Sequence, residues 1–310
     1  MLGANQWNKL FASRLLSAWP EMNKELSTSE VQFESDGVIL RGWIARPNEE
    51  HHLPLIVLIH GLSGIAALDL ADYAEQFVAA GFACFAYDHR NWGESDGTPR
   101  SESDPWRQVA DLRNAISFAR SQDWVDSERI GIWGTSYGGG HVLTVAALDK
   151  RVKCAVAQVP LISGSRTFDT WVPNASRAEF LQKLAADRDA RFRGESPKTV
   201  PAAIKGGETA EWIETKDVSN AYVNELTVRS FELLRTYEPV SFVEAISPTP
   251  LLMIIASQDT TTPTDWQRDA YGLIGEPKKL VEIDGRHYDV YMDGLDEAAN
   301  AACQWYGEFL

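Results

Sequence analysis

The chain is short of cysteine, of long apolar runs and of positive charge. Cys84, Cys154 and Cys303 are its only cysteines. They lie far apart in apolar segments, which leaves neither a disulfide framework nor a zinc-ligand spacing, and they read as small buried hydrophobes in a reducing compartment. No apolar run reaches the roughly 18 residues that a membrane span needs, and residues 1–20 lack a secretory apolar core followed by a small-residue cleavage site. The expectation is a cytoplasmic protein with no membrane span. Lys and Arg number 29 against 44 Asp and Glu, a formal net charge of −15. That balance argues against nucleic acid or an anionic membrane as a partner. Repeats and low-complexity segments are absent too. What is present is ordinary for a soluble globular enzyme: 44% apolar and 24% charged residues over 310 positions, enough for one large α/β domain with an insertion or for two smaller domains.

Trp7, Leu10, Phe11, Leu15, Ala18 and Trp19 fall near helical spacing, so residues 1–30 are expected to form a helical extension packed on the body or on a second subunit, with a homodimer left open. Val31 to Ser35 and Val38 to Ala45, joined by Asp36-Gly37, read as a β-hairpin. Leu53 to Ile59, Phe82 to Tyr87, Arg129 to Trp133, Val152 to Gln158, Leu251 to Ala256 and Lys279 to Ile283 read as strands, most of them apolar throughout and so buried on both faces. Helical patterns alternate with them, and this β-α-β rhythm implies a parallel sheet covered on both faces. Residues 161–245 break the rhythm. That charged, alanine-rich stretch offers helices without an obvious strand and is expected to lie over the C-terminal edge of a sheet formed by residues 31–160 and 246–310.

Gly134-Thr135-Ser136-Tyr137-Gly138 sits between a strand-like and a helix-like segment. A serine on such a turn holds its hydroxyl away from the backbone, and the N–H of Tyr137 points at a developing oxyanion. A serine hydroxyl needs a base, and the base needs a carboxylate to fix its tautomer. His287 follows the final strand and Asp259 the strand before it. Parallel strands deliver such loops to one edge, so Ser136, Asp259 and His287 are expected to converge; Asp265 and Asp284 are the less well placed acids. Trp92, Trp106, Trp171, Trp212 and Tyr222 are candidates for an aromatic pocket wall. His89 and His141 flank the site, where hydrogen-bonded structural roles suit them better.

The order Ser-Asp-His after successive strands resembles the α/β-hydrolase superfamily. That resemblance spans about residues 31 to 160 and 245 to 310, and it implies a mostly parallel, doubly wound sheet of eight strands with a helical cap. His60-Gly61 resembles the superfamily's oxyanion loop, which implies the N–H of Leu62 as the second oxyanion donor. Asp88-x-Arg90-x-x-Gly93-x-Ser95 is similar to a structural loop of many members, with Asn91 where glycine is usual. Phrases around Tyr87 to Arg100, Asp104-Pro-Trp106 and His287 to Tyr291 are similar to a branch of microbial and fungal hydrolases that includes acyl- and polyketide-handling enzymes of secondary metabolism. The expected activity is cleavage of an apolar ester, thioester or lactone through an acyl-enzyme, with no metal or organic cofactor. Acyl transfer, condensation, peptide cleavage by the same triad with a cap carboxylate or carbonyl holding the substrate amine (Glu211, Glu214 and Glu225 are the acids on offer), and ligand binding without catalysis remain open.

Overall fold

A turn at Asp36 (φ +48°) and Gly37 (φ +78°) folds the chain into an antiparallel hairpin, β1 (Leu26–Ser35) on β2 (Val38–Pro47). The computed structural model describes residues 26–47, 52–217 and 220–310. The expected helix over residues 1–30 lies mostly outside these residues, and its last five positions belong to β1 instead. Their ladder runs from Leu26↔Pro47 inward, a pairing that polar Leu-Ser-Thr-Ser-Glu does not announce.

β3 (Leu53–Ile59) and β4 (Ala83–Tyr87) follow, with α1 (Leu70–Ala79) between them. Next come α2 (Pro105–Arg120), β5 (Val125–Thr135), α3 (Tyr137–Leu148) and β6 (Cys154–Gln158). Asp104 caps α2 by accepting from the N–H groups of Trp106 and Arg107, with Pro105 at its first position. The chain then leaves the sheet for α4 (Gly164–Trp171), α5 (Asn174–Phe192), β7 (Thr199–Val200), α6 (Glu208–Lys216), β8 (Leu226–Thr227) and α7 (Val228–Leu234). β7 and β8 pair as a two-residue antiparallel ladder, too short to leave a period in the sequence. After β9 (Leu251–Ala256), α8 (Thr264–Leu273) and β10 (Lys278–Ile283), helix α9 (Leu295–Phe309) closes the fold.

The eight-stranded sheet has the order β1-β2-β4-β3-β5-β6-β9-β10. β2 meets β4 antiparallel, and from β4 onward every pairing is parallel. Side chains of a buried strand serve both faces in alternation. Leu55, Val57 and Ile59 of β3 join Leu251, Met253 and Ile255 of β9 under α2 and α3. Ile56 and Leu58 join Leu252 and Ile254 under α1 and α9. The register aligns Ile59 with Gly134, Thr135 with Gln158, and Ala256 with Ile283. The loops that follow these strands therefore emerge side by side.

One buried ion pair braces the sheet's antiparallel end. Arg90 donates through Nε and Nη2 to both oxygens of Asp111 at 2.6 and 2.5 Å, and Ser35 donates to the same carboxylate at 2.5 Å. Asn91 adopts φ +72°, a conformation asparagine tolerates better than most, and its side-chain amide donates to the carbonyl of Glu102 at 3.0 Å.

Candidate active site

Ser136 is the whole connection between β5 and α3. Its backbone stands at φ +55°, ψ −120°, where an L residue stays only under restraint. The restraint is the close passage of α3 over the strand ends. A Cβ on Gly138 would meet the carbonyl oxygen of His60 at 2.5 Å, and one on Gly134 would meet that of Gly138 at 2.6 Å. Ser136 donates its N–H to the carbonyl of Gln158 at 2.9 Å and accepts from the N–H of Leu161 at 2.8 Å. The turn is thus tied to β6 as well.

Asp259 lies three residues beyond β9, in a loop that curls back on its own carboxylate. The N–H groups of Thr261 and Thr262 donate to Oδ1 at 2.8 and 2.9 Å, and the Thr262 hydroxyl reaches Oδ2 at 2.9 Å. Gln267 of α8 adds its amide at 3.3 Å. Burial pushes this carboxyl upward, but the nearby His287 and the hydrogen bonds outweigh it, and the group ends below the ordinary aspartate range. An ionised Asp259 accepts the Nδ1–H of His287 at 2.7 Å, leaving Nε2 to face Ser136 Oγ at 3.1 Å. His287 and Asp259 have fully buried side chains. The three residues that strand order predicts to converge do so; Asp284 bonds Ser257 and Gln258, and Asp265 pairs with Arg268.

His60 joins the loops after β3 and β4. Its Nδ1–H donates to the Gly61 carbonyl at 2.9 Å, and Nε2 accepts the N–H of His89 at 3.0 Å. Burial lowers its pKa to about 4, so it stays neutral. A Cβ on Gly61 would stand 3.4 Å from that of Ser136, which brings Leu62 into the wall of the site. Tyr137 is the first residue of α3, so its N–H has no acceptor inside the helix.

A cavity of about 380 Å³ opens onto Ser136 and His287. The insertion gives it Trp171, Trp212, Tyr222 and Phe231, and the body gives it Tyr288 and Tyr291. Trp92 is not among its walls: it is buried in the loop after β4, with its indole N–H donating to Ser103 at 3.1 Å. Trp106 also points elsewhere, edge-on to Tyr237 and Phe242. Residue type marks an aromatic side chain but not its direction. His89 and His141 are buried outside the cavity, His141 bonded to Tyr237 at 2.9 Å. Glu211, Glu214 and Glu225 are exposed, whereas Glu208, which no motif signals, lines the cavity at the start of α6. Thr262 and Gln267 also escape sequence reading, because their roles come from the curl of one loop.

Among the described residues, no helix is long and apolar enough to cross a membrane. Residues 50–293 match the family model described as serine aminopeptidase, S33. The thiohydrolase aneE of Aspergillus aculeatus is 32% identical over 285 residues, covering 86% of this chain and 88% of its own. The polyketide transferase grgF of a Penicillium species is 30% identical over 286 residues, covering 89% and 94%. The crystal structure of the α/β hydrolase GrgF from Penicillium sp. sh18 superposes with a TM-score of 0.81 at 28% identity, covering 91% of this chain and 99% of that one. With its sheet order, its serine turn and four-fifths of its length in agreement, the chain belongs to the S33 serine aminopeptidase family of α/β hydrolases.

Proposed function

We propose that the chain is a serine hydrolase that cleaves an ester, thioester or lactone of a fairly apolar substrate. The observation that carries this reading is the hydrogen-bonded series Ser136–His287–Asp259 at the floor of an aromatic-walled cavity. His287 Nε2 takes the hydroxyl proton as Ser136 Oγ bonds to the substrate carbonyl carbon, and Asp259 steadies the imidazolium. The backbone N–H groups of Leu62 and Tyr137 receive the oxyanion. As the tetrahedral adduct collapses, the bond to the leaving group breaks and that group takes the proton from His287. Water then repeats the sequence on the acyl-enzyme and releases the acid. Trp171, Trp212 and Tyr222 form the acyl pocket. This chemistry calls for no metal or organic cofactor.

Initial rates on p-nitrophenyl esters, simple thioesters and lactones of graded acyl length, wild type beside Ser136→Ala, test the proposal. Turnover by wild type that falls to background in the variant supports it; equal rates in the two proteins sink it.

A second reading is acyl transfer to an alcohol, amine or carbon nucleophile, supported by the aromatic insertion side chains Trp171, Trp212 and Tyr222 that line the cavity, because an apolar lining disfavours water as the acceptor. The likeness to a polyketide transferase points the same way. Peptide cleavage fits less well. Two carboxylates line the cavity, Asp69 and Glu208, and Glu208 has Arg286 3.9 Å away, so its charge is already partly offset before any substrate amine arrives.

A further inference from the structure

Helix α6 buries none of its residues, yet side chains at both ends of segment 207–222 reach the body. Lys216 pairs with Asp72 of α1 at 2.6 Å. Thr209 accepts a hydrogen bond from the Tyr288 hydroxyl at 2.8 Å, and Trp212 stacks on the Tyr288 ring with centroids 5.1 Å apart. At the other end, Asp217 accepts the N–H groups of Ala221 and Tyr222 at 3.0 and 3.1 Å, a local turn that presents Tyr222. The Tyr222 hydroxyl then meets Ser63 Oγ at 3.1 Å. Two of these contacts fall next to residues that the proposed mechanism uses. Tyr288 follows His287 in sequence and packs edge-on against it at 4.9 Å. Ser63 follows Leu62, is 6% exposed and holds φ +56°. An unsupported non-glycine residue leaves that conformation readily.

We propose that residues 207–217 and 220–222 act as a clamp, in which Tyr222 and Thr209 are positioning residues that steady the Leu62 N–H and the His287 ring through Ser63 and Tyr288. The inference rests on the serine hydrolase reading. The Gly61–Gly64 turn is closed by the Gly64 N–H donating to the Gly61 carbonyl at 3.2 Å, and the Tyr222 hydroxyl adds a tie at Ser63 that narrows the direction of the neighbouring Leu62 N–H. These contacts steady the second oxyanion donor and the base together.

The test is a cycle on p-nitrophenyl acetate, whose acyl group is too small to need the pocket wall. Tyr222→Phe and Ser63→Ala are each expected to lower kcat about 10-fold with KM within about twofold, less than the loss of a whole oxyanion donor. The double variant is expected to be no slower than either single one, because both remove the same contact. Thr209→Val should lower kcat as well, and Thr209→Ser should restore it. Unchanged kcat, additive losses, or an effect confined to KM with long acyl groups would make these residues plain pocket wall and overturn the clamp. Labelling of wild type by a fluorophosphonate, absent in Ser136→Ala, is read in parallel. Labelling with a failed cycle removes the clamp alone, whereas no labelling removes the hydrolase reading beneath it.

Discussion

Ser136 is held at φ +55° by the packing of glycines above and below it, and such a conformation costs on the order of 1–3 kcal/mol. Ser136→Gly should relieve that strain, and Ser136→Ala should keep it. Both variants lose hydrolysis, but the glycine variant is expected to unfold at a higher temperature than the alanine variant, by roughly 1 kcal/mol in stability. Asp259→Asn offers His287 an amide in place of an ionised acceptor, which favours the wrong tautomer. A fall in kcat of about 10³–10⁴-fold is expected, checked by single-turnover acylation with a chromogenic ester. The three polar residues of this series are legible in the sequence because each follows a strand-like segment, apolar throughout before Asp259 and mixed with charged residues before His287. Thr262 and Gln267 are not legible, since no period or motif encodes a loop that folds back on its own carboxylate. Tryptophan identity was equally mute about orientation, which is why Trp171 and Trp212 face the cavity and Trp92 does not.

Among the elements, the central strands read most clearly, because burial on two faces demands Val, Ile and Leu in unbroken runs. The first half of β1 is hidden for the opposite reason: an edge strand can carry Ser-Thr-Ser-Glu, a composition equally at home in a loop. The loop after β4 holds a group whose consequence is thermodynamic. Asp88 accepts the N–H groups of Ala66 and Glu94 at 2.7 and 2.8 Å, and burial pushes its pKa from 3.8 up to about 6. The folded protein thus holds this proton more tightly than the unfolded chain does. The associated stability is complete below about pH 4 and is lost as pH rises through about 6. Urea unfolding of wild type and Asp88→Asn from pH 4 to pH 7 should therefore show a difference that drifts by about 2 kcal/mol, with wild type losing ground. A parallel pair of curves would mean that Asp88 titrates normally.

Taken as a whole, the molecule carries a net charge of −15, which repels polyanionic substrates over a distance set by salt. From about 10 mM to about 1 M salt the screening length shrinks from roughly 30 Å to 3 Å. kcat/KM on an acyl thioester with a phosphate-bearing leaving group should rise several-fold over that range, while kcat/KM on a neutral ester stays level. Fold class is a whole-molecule property, and it was legible because the β-α rhythm stops at β6 and resumes at β9. The course of the intervening helices was not, because they pack on one another and on the rim more than on a periodic core. That contrast reaches into time as well as space. Helix α3, which starts beside Ser136, has 11 of its 12 residues buried, so its amide hydrogens reach deuterated solvent only when the central fold itself opens. The amides of α6, with none buried, should exchange orders of magnitude sooner. The serine would then sit in a long-lived part of the protein beneath a shorter-lived one, so that the site admits and releases molecules many times for each excursion of its nucleophile.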